Sequence, residues 1–186
     1  MDTHRVIPDE TAHWSGSFIL AAGSDANMEI TRRHHLRADD IAHIRDRIEG
    51  LFGVRLEGDQ FEAVEFADMD RDIVLVDGEP LVMRTEAGDL LTVRGANQVD
   101  PSRRVVVVDA GAVAFVSDGA DIMRPGIVDA DEAIEPGDPV LIAEETHGKI
   151  LAVGHARVAG SDLRGSEGKV IDTLHHVGDD LFDFSG

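Results

Sequence analysis

Residues 105–128 read VVVVDAGAVAFVSDGADIMRPGIV, and the punctuation of this stretch decides how the rest of the chain is organised. Val105 to Val108 form a short continuous β-branched run, the pattern of a strand buried on both faces. Asp109 is placed to cap a short apolar helix by accepting the free amide hydrogens of its first turn. Gly111 beside Ala112 leaves the helix start without bulk, so another backbone can approach it, and the bare amides favour an anion such as a phosphate. Gly119 ends the helix in the left-handed conformation, and Pro125-Gly126 forces a turn or bulge into the strand that follows.

Downstream, the turn Pro136-Gly137-Asp138 leads into expected strands Val140–Glu144 and Ile150–Val158, which flank the loop His147-Gly148-Lys149. Ser161 is placed to cap a brief helix, Gly165 and Gly168 frame a strand beginning at Lys169, and Gly178-Asp179-Asp180 turns the chain into Leu181–Phe184. Many short strands with regular turns imply a closed or half-closed barrel. Upstream, the apolar stripe Ile41, Ile44, Ile48, Leu51 and Phe52 predicts a helix over 39–52. Asp39 or Asp40 lies at its start, Gly53 just past its end, and Arg45 and Arg47 fall on its solvated side. Phe61–Phe66 and Asp72–Val76 read as strands, with Asp77-Gly78 as a hairpin turn, and Leu81–Arg84 pairs with Leu90–Val93 around Glu86-Ala87-Gly88-Asp89. The polar segment Gly95–Ser102, with Pro101, marks a boundary between two domains, 28–102 and 103–184. For Arg103-Arg104 two readings stand, a solvated strand entrance and a nucleic-acid contact.

Met28–Ile30 is expected to be a short strand, followed by TRRHHLR, a dense basic cluster of Arg32, Arg33, His34, His35 and Arg37. It reads either as a solvated loop tip or as a contact with nucleic-acid phosphates. Residues 1–27, with Trp14 and the apolar run Phe18–Ala22, are expected to be a disordered extension or the product of a misassigned start; the run is too short for a signal-peptide core.

The 186 residues allow one domain or two small ones, and 42% hydrophobic content supports a true core. The absence of cysteine excludes disulfides and thiolate zinc sites and fits a reducing cytoplasm. No apolar run approaches the ~18 residues of a membrane span. Asp plus Glu total 37 against 17 basic residues, a formal net charge of −20, and Lys149 and Lys169 are the only lysines. Such acidity fits either an ordinary soluble surface or adaptation to molar intracellular salt, as in a halophilic archaeon, where charges are screened within roughly 3 Å at 1 M. In that salt an RNA-binding protein that neutralised three phosphates would lose about 500-fold in affinity between 0.1 and 2 M. Recognition must then rest on shape, hydrogen bonds and close backbone contact.

Catalytic chemistry is absent from the sequence. There is no Ser or Cys nucleophile beside an obvious base, no GxxxxGK[ST], and no GxGxxG opening a helix. The carboxylate pairs Asp39-Asp40, Asp129/Asp131 and Asp179-Asp180 are commonplace in so acidic a chain. His175-His176 lie in one expected strand and point to opposite faces, one packed and one solvated, so no metal site is expected there or at His34-His35. With no tyrosine, one tryptophan and phenylalanines mostly in core-like positions, stacking platforms of the RNA-recognition-motif or OB type are not expected.

The segment DAGAVAFVSDGADIMRPGIV resembles the signature of the PUA domain, an RNA-binding module, and the resemblance continues through LAVGHARV and KVIDTLHHVGDDLFDF. LRADDIAHIRDRIEGLFG and IVLVDGEPLVMRTEAGDLLTVR resemble the small pre-PUA domain of the malignant T-cell-amplified sequence family, which shares this two-domain unit with ligatin. The resemblance covers residues 28 to 184 and implies an α+β protein: a small α/β pre-PUA domain followed by a PUA-type β-barrel, or pseudobarrel. It further implies a cytoplasmic, non-enzymatic RNA-binding protein of the translation apparatus, without cofactor and monomeric on its own. Its PUA domain would hold a tRNA acceptor end on the small ribosomal subunit during initiation or recycling. The alternative is an accessory subunit of a tRNA- or rRNA-modifying enzyme, of transglycosylase or pseudouridine synthase type. Carried onto this chain, the expected RNA contacts are Gly111, Ala112, Gly119, Ala120, Asp121, Ile122, Met123, Arg124, Pro125, Gly126, Gly154 and Arg157. Arg124 is the leading candidate, an exposed guanidinium able to grip a phosphate or stack on a base, whereas Gly119, Pro125 and Gly126 can equally serve only to shape the barrel. Arg32, Arg33 and Arg37 are the candidates for ribosome contact.

Overall fold

The computed structural model describes residues 28–186; the reading of residues 1–27 lies outside the described residues. Two β-sheets carry the chain. The first is an antiparallel meander of five strands in sequence order: β1 (Ile30–His35), β2 (Phe61–Phe66), β3 (Asp72–Val76), β4 (Glu79–Thr85) and β5 (Gly88–Leu91). The expected turn between β3 and β4 is present, with Asp77 at φ 51° and Gly78 at φ 88°, the left-handed pair that suits a two-residue hairpin.

Helix α1 (Ala38–Phe52) follows β1 and buries Ile44, Ile48 and Phe52. Arg37 is its N-cap without a side-chain cap, and Asp39 and Asp40 lie in its first turn, favourable to the helix dipole. Gly53 closes the helix at φ 72° with its N–H on the Glu49 carbonyl. Arg45 and Arg47 depart from the solvated reading. Arg45 donates to the Leu56 and Gly58 carbonyls and lies 5.0 Å over the Phe61 ring, and Arg47 donates to the Asp89 and Ala87 carbonyls. Long guanidinium stems bury well along apolar surface, so both tie the helix to its neighbours.

Two further expectations are corrected. The basic cluster is a strand, not a loop tip: Arg32 to His35 belong to β1, an edge strand paired with β2. The polar segment read as a domain boundary overlaps α2 (Val93–Val99), capped by Thr92, whose hydroxyl accepts from the Gly95 amide. Gly95 and Ala96 are buried there, and a Cβ at Gly95 would collide with the Leu81 backbone, so small residues that looked like linker permit close packing of helix on strand.

The second sheet has the order β7-β11-β10-β9-β6-β8, built from β6 (Val105–Val108), β7 (Ile122–Met123), β8 (Ile127–Ala130), β9 (Pro139–Glu144), β10 (Ile150–Ala156) and β11 (Lys169–His176). Its two edge strands, β7 and β8, are consecutive in the chain and separated only by the 3-10 turn Arg124–Gly126. Three residues cannot span a flat six-stranded sheet, so the sheet curls until its edges meet, aided by bulges at Val107/Val108 and Val153/Gly154. The result is a mixed α/β architecture with a pseudobarrel, lined by Val106, Val108, Ile122, Ile127, Ile142, Val170 and Ile171. Val105 and Val107 are only half-buried, because the outer face of β6 is partly open. Ser161 does not cap; the brief 3-10 turn Gly160–Asp162 has Ala159 at its N-cap and no side-chain capping bond.

One apolar core runs across both sheets, joining Leu81, Met83 and Leu90 to Leu141, Ile150, Val153 and Leu181. Polar links reinforce it. Asn97 donates to the Ile150 carbonyl and accepts from the Ile150 amide, each at 2.9 Å, and Arg71 donates to the Leu174 carbonyl at 2.6 Å. Phe66 meets Phe184 edge to face at 5.3 Å.

Candidate nucleic-acid interface

Between β6 and α3 (Val113–Ser117) the chain makes a tight turn. The Asp109 N–H donates to the Gly126 carbonyl, and Asp109 Oδ1 accepts from the Ala112 amide at 2.9 Å. Asp109 thus caps the turn that feeds the helix, while Ala112 occupies the N-cap position. The expected anion site at this end is partly filled by the chain's own carboxylates. The Ala110 amide donates to Glu145 Oε1 at 3.1 Å, so carboxylates of the chain already hold two of the amides at this end, those of Ala110 and Ala112.

At the other end of α3, Gly119 adopts φ 82° and a Cβ there would lie 2.5 Å from the His176 ring. His176 Nδ1 is 3.0 Å from the Ser117 carbonyl, so this imidazole is packed beneath the helix end. Both the left-handed backbone and the close approach of the His176 ring require glycine at 119. His175 is fully buried on the opposite side with Nδ1 2.8 Å from Asp179, while His176 is half-buried rather than solvated.

Between α3 and the β7–β8 turn lies a groove of about 460 Å³, lined by Asp109, Gly111, Ala112, Phe115, Val116, Ala120, Asp121, Ile122, Met123, Pro125 and Gly126. Its volume falls within the roughly 300–1,000 Å³ of ligand pockets. Its walls are mostly apolar, and two large hydrophobic side chains stand exposed at it, Phe115 at 68% and Met123 at 49%. A Cβ at Gly126 would sit 2.8 Å from the Ala112 methyl, so glycine lets the two walls come together. Asp121 accepts from the Thr173 amide and from Lys169 Nζ, both at 2.9 Å, and these bonds, the amide foremost, hold its carboxyl below the usual range.

Of the expected contact residues, this groove brings together Gly111, Ala112, Ala120, Asp121, Ile122, Met123, Pro125 and Gly126. Four fall elsewhere. Gly119 sits under the helix against His176. Arg124 is not a free guanidinium: Nε donates to the Asp162 carbonyl and Nη1 to the Glu167 carbonyl, each at 2.9 Å, which clamps the loop before β11. Gly154 is buried in β10, where a Cβ would lie 2.5 Å from the Asp172 carbonyl oxygen. Arg157 is exposed beyond β10 and pairs with Asp172 at 3.4 Å.

Asp109, Phe115 and Val116 were missed. Neighbours on a helix are rotated by about 100°, so a buried Val116 turns Phe115 outward. That geometry, applied to a helix this short, was the available signal.

On β1, Arg33 and Glu62 form a close pair at 2.8 Å, Arg32 lies 3.7 Å from Glu65, and Arg37 is exposed at the start of α1. Arg104 is a strand-entrance residue: its φ is 58°, its amide donates to Asp131 and its guanidinium lies 2.7 Å from Asp138. Among the described residues no group of three or more His, Asp or Glu is arranged to hold a metal ion. No helix there is long and apolar enough to cross a membrane.

The family model described as PUA domain matches residues 104–178. The protein MJ1432 of Methanocaldococcus jannaschii is 37% identical over 166 residues, covering 86% of this chain and 100% of that protein. Translation machinery-associated protein 20 of Saccharomyces cerevisiae is 31% identical over 117 residues, which span 59% of this chain and 65% of the yeast protein. Among solved structures, a hypothetical protein of Pyrococcus horikoshii superposes with a TM-score of 0.75 at 31% identity, covering 83% of this chain and 100% of that one.

Proposed function

Because this chain belongs to the family of PUA-domain proteins that includes the Methanocaldococcus jannaschii protein, we propose that it is a non-catalytic RNA-binding protein acting in translation. In this reading the chain divides into a docking domain, 28–102, and an RNA-holding domain, 103–184. The latter takes the acceptor end of a tRNA on the small ribosomal subunit, in the cytoplasm. The name of the yeast relative supports the link to translation.

The observation that carries the proposal is the groove: one short segment delivers an apolar floor with Phe115 and Met123 exposed beside it. An unpaired base has apolar faces and a polar rim, and stacking on an aromatic contributes about 1–3 kcal/mol per base. Exposed Arg32 and Arg37 supply the docking contact in this reading, while Arg33 is largely matched by Glu62.

The test is a comparison, at 2 M KCl, of intact tRNA with tRNA lacking its 3′-terminal nucleotides, using the full chain and Phe115→Ala. Intact tRNA is expected to bind more tightly, and Phe115→Ala to weaken it by about 1–3 kcal/mol. Equal affinity for the two tRNAs would remove the acceptor end from the proposal. Co-purification with ribosomal subunits in high salt tests the link to translation; recovery with an RNA-modifying enzyme instead would replace it.

A further inference from the structure

No cationic side chain lines the groove. The Ala110 and Ala112 amides at its mouth are already held by Glu145 and Asp109. The nearest guanidinium in sequence, that of Arg124, is turned onto the Asp162 and Glu167 carbonyls. What the groove does present is an apolar floor and two carboxylates, Asp109 and Asp121. These two are not equivalent. Asp121 is engaged by the Thr173 amide and by Lys169, whereas Asp109 uses only Oδ1, for the Ala112 amide. Its second oxygen, Oδ2, accepts no hydrogen bond among the described residues, on a side chain that lines the groove.

A carboxylate beside an apolar surface selects a flat, uncharged ligand that carries N–H donors, and repels one that presents only anionic or carbonyl oxygens. Cytosine and adenine offer an exocyclic amino group on the edge that pairing would otherwise hide, and cytosine N4 is a known partner for Asp and Glu. Uracil sets carbonyl oxygens at the corresponding place. We propose that the groove holds an unstacked base bearing an exocyclic amino group, and that Asp109 is the residue that selects it. This rests on the RNA-binding reading and sharpens it from a surface to a choice of base.

Cytosine and uracil are both single-ring bases, so comparing them isolates the amino group from stacking area. Binding of pentacytidylate and pentauridylate to the full chain at 2 M KCl is expected to favour cytidylate by about tenfold. Asp109→Asn keeps an oxygen for the Ala112 amide but replaces the free oxygen with a donor, and should bring the ratio to about one. Asp109→Ser, whose hydroxyl still reaches a backbone amide, should do the same, whereas Glu145→Gln should leave the preference intact. Equal binding of the two oligonucleotides by the unaltered protein overturns the inference while leaving RNA binding in place. So does a preference that survives both Asp109 variants. Failure of both oligonucleotides to bind overturns this inference and the RNA-binding reading together.

Discussion

Glycine at 154 shows how a residue's identity and its reason can separate. It was expected to let RNA approach; it lets β11 approach, because a side chain would press on the Asp172 carbonyl. Gly154→Ala should therefore destabilise the fold by about 1–3 kcal/mol, the usual range for overpacking, seen as a lower denaturant midpoint in high salt. An unchanged midpoint with weakened RNA binding would return this residue to the interface. Arg124 carries the same lesson with the opposite chemistry: it was legible as important and misread as free, since its partners lie 38 and 43 residues away in sequence. Phe115 is the converse case, an exposed aromatic whose direction is set by the burial of Val116.

At the scale of elements, the end of β11 and the short helix α4 (Asp180–Asp183) form a unit held by Asp179. Burial alone would raise the Asp179 carboxyl, but the hydrogen bond and charge of His175, together with the Phe182 and His176 amides, hold it below the usual range. The unfolded chain, near pKa ~3.9, then binds the proton more readily than the native state. This contribution is fully present above that value and is lost as pH falls through the native one. Asp179→Asn should lower stability at pH 7 and flatten its decline in acid, measured by denaturant unfolding between about pH 6 and 2. An undiminished acid slope would assign it to Asp121 and Asp131, whose carboxyls are also held low by backbone amides. Elements were the most legible level, for local reasons. The strands Phe61–Phe66 and Asp72–Val76 fall where the alternation and turn residues place them. The helix α2 was not legible, because its Gly95 and Asn97 are locally poor helix residues justified by Leu81 and Ile150 on other elements.

For the whole molecule, charge and core oppose each other. A net charge of −20 repels itself over about 10 Å in 0.1 M salt but only about 3 Å in 1 M. Melting temperature should rise with KCl, and circular dichroism should show loss of structure on dialysis to 0.1 M; a spectrum and melting temperature unchanged between 0.1 and 2 M would sink the halophilic reading. By itself the sequence determined the helix α1 and most of the strands, the acidity, the lack of thiol chemistry and the short segment from which the groove is built. These follow from composition, period and turn residues, which act over a few positions. Only the tertiary structure decided which small residues face the groove and which face another strand, and which charged groups are free. Asp109 and Arg124 lie in two different turns of that one segment, yet one keeps an oxygen unengaged while the other is bound by distant carbonyls. Such differences arise from partners brought near by closure of the sheet, and no local pattern records them.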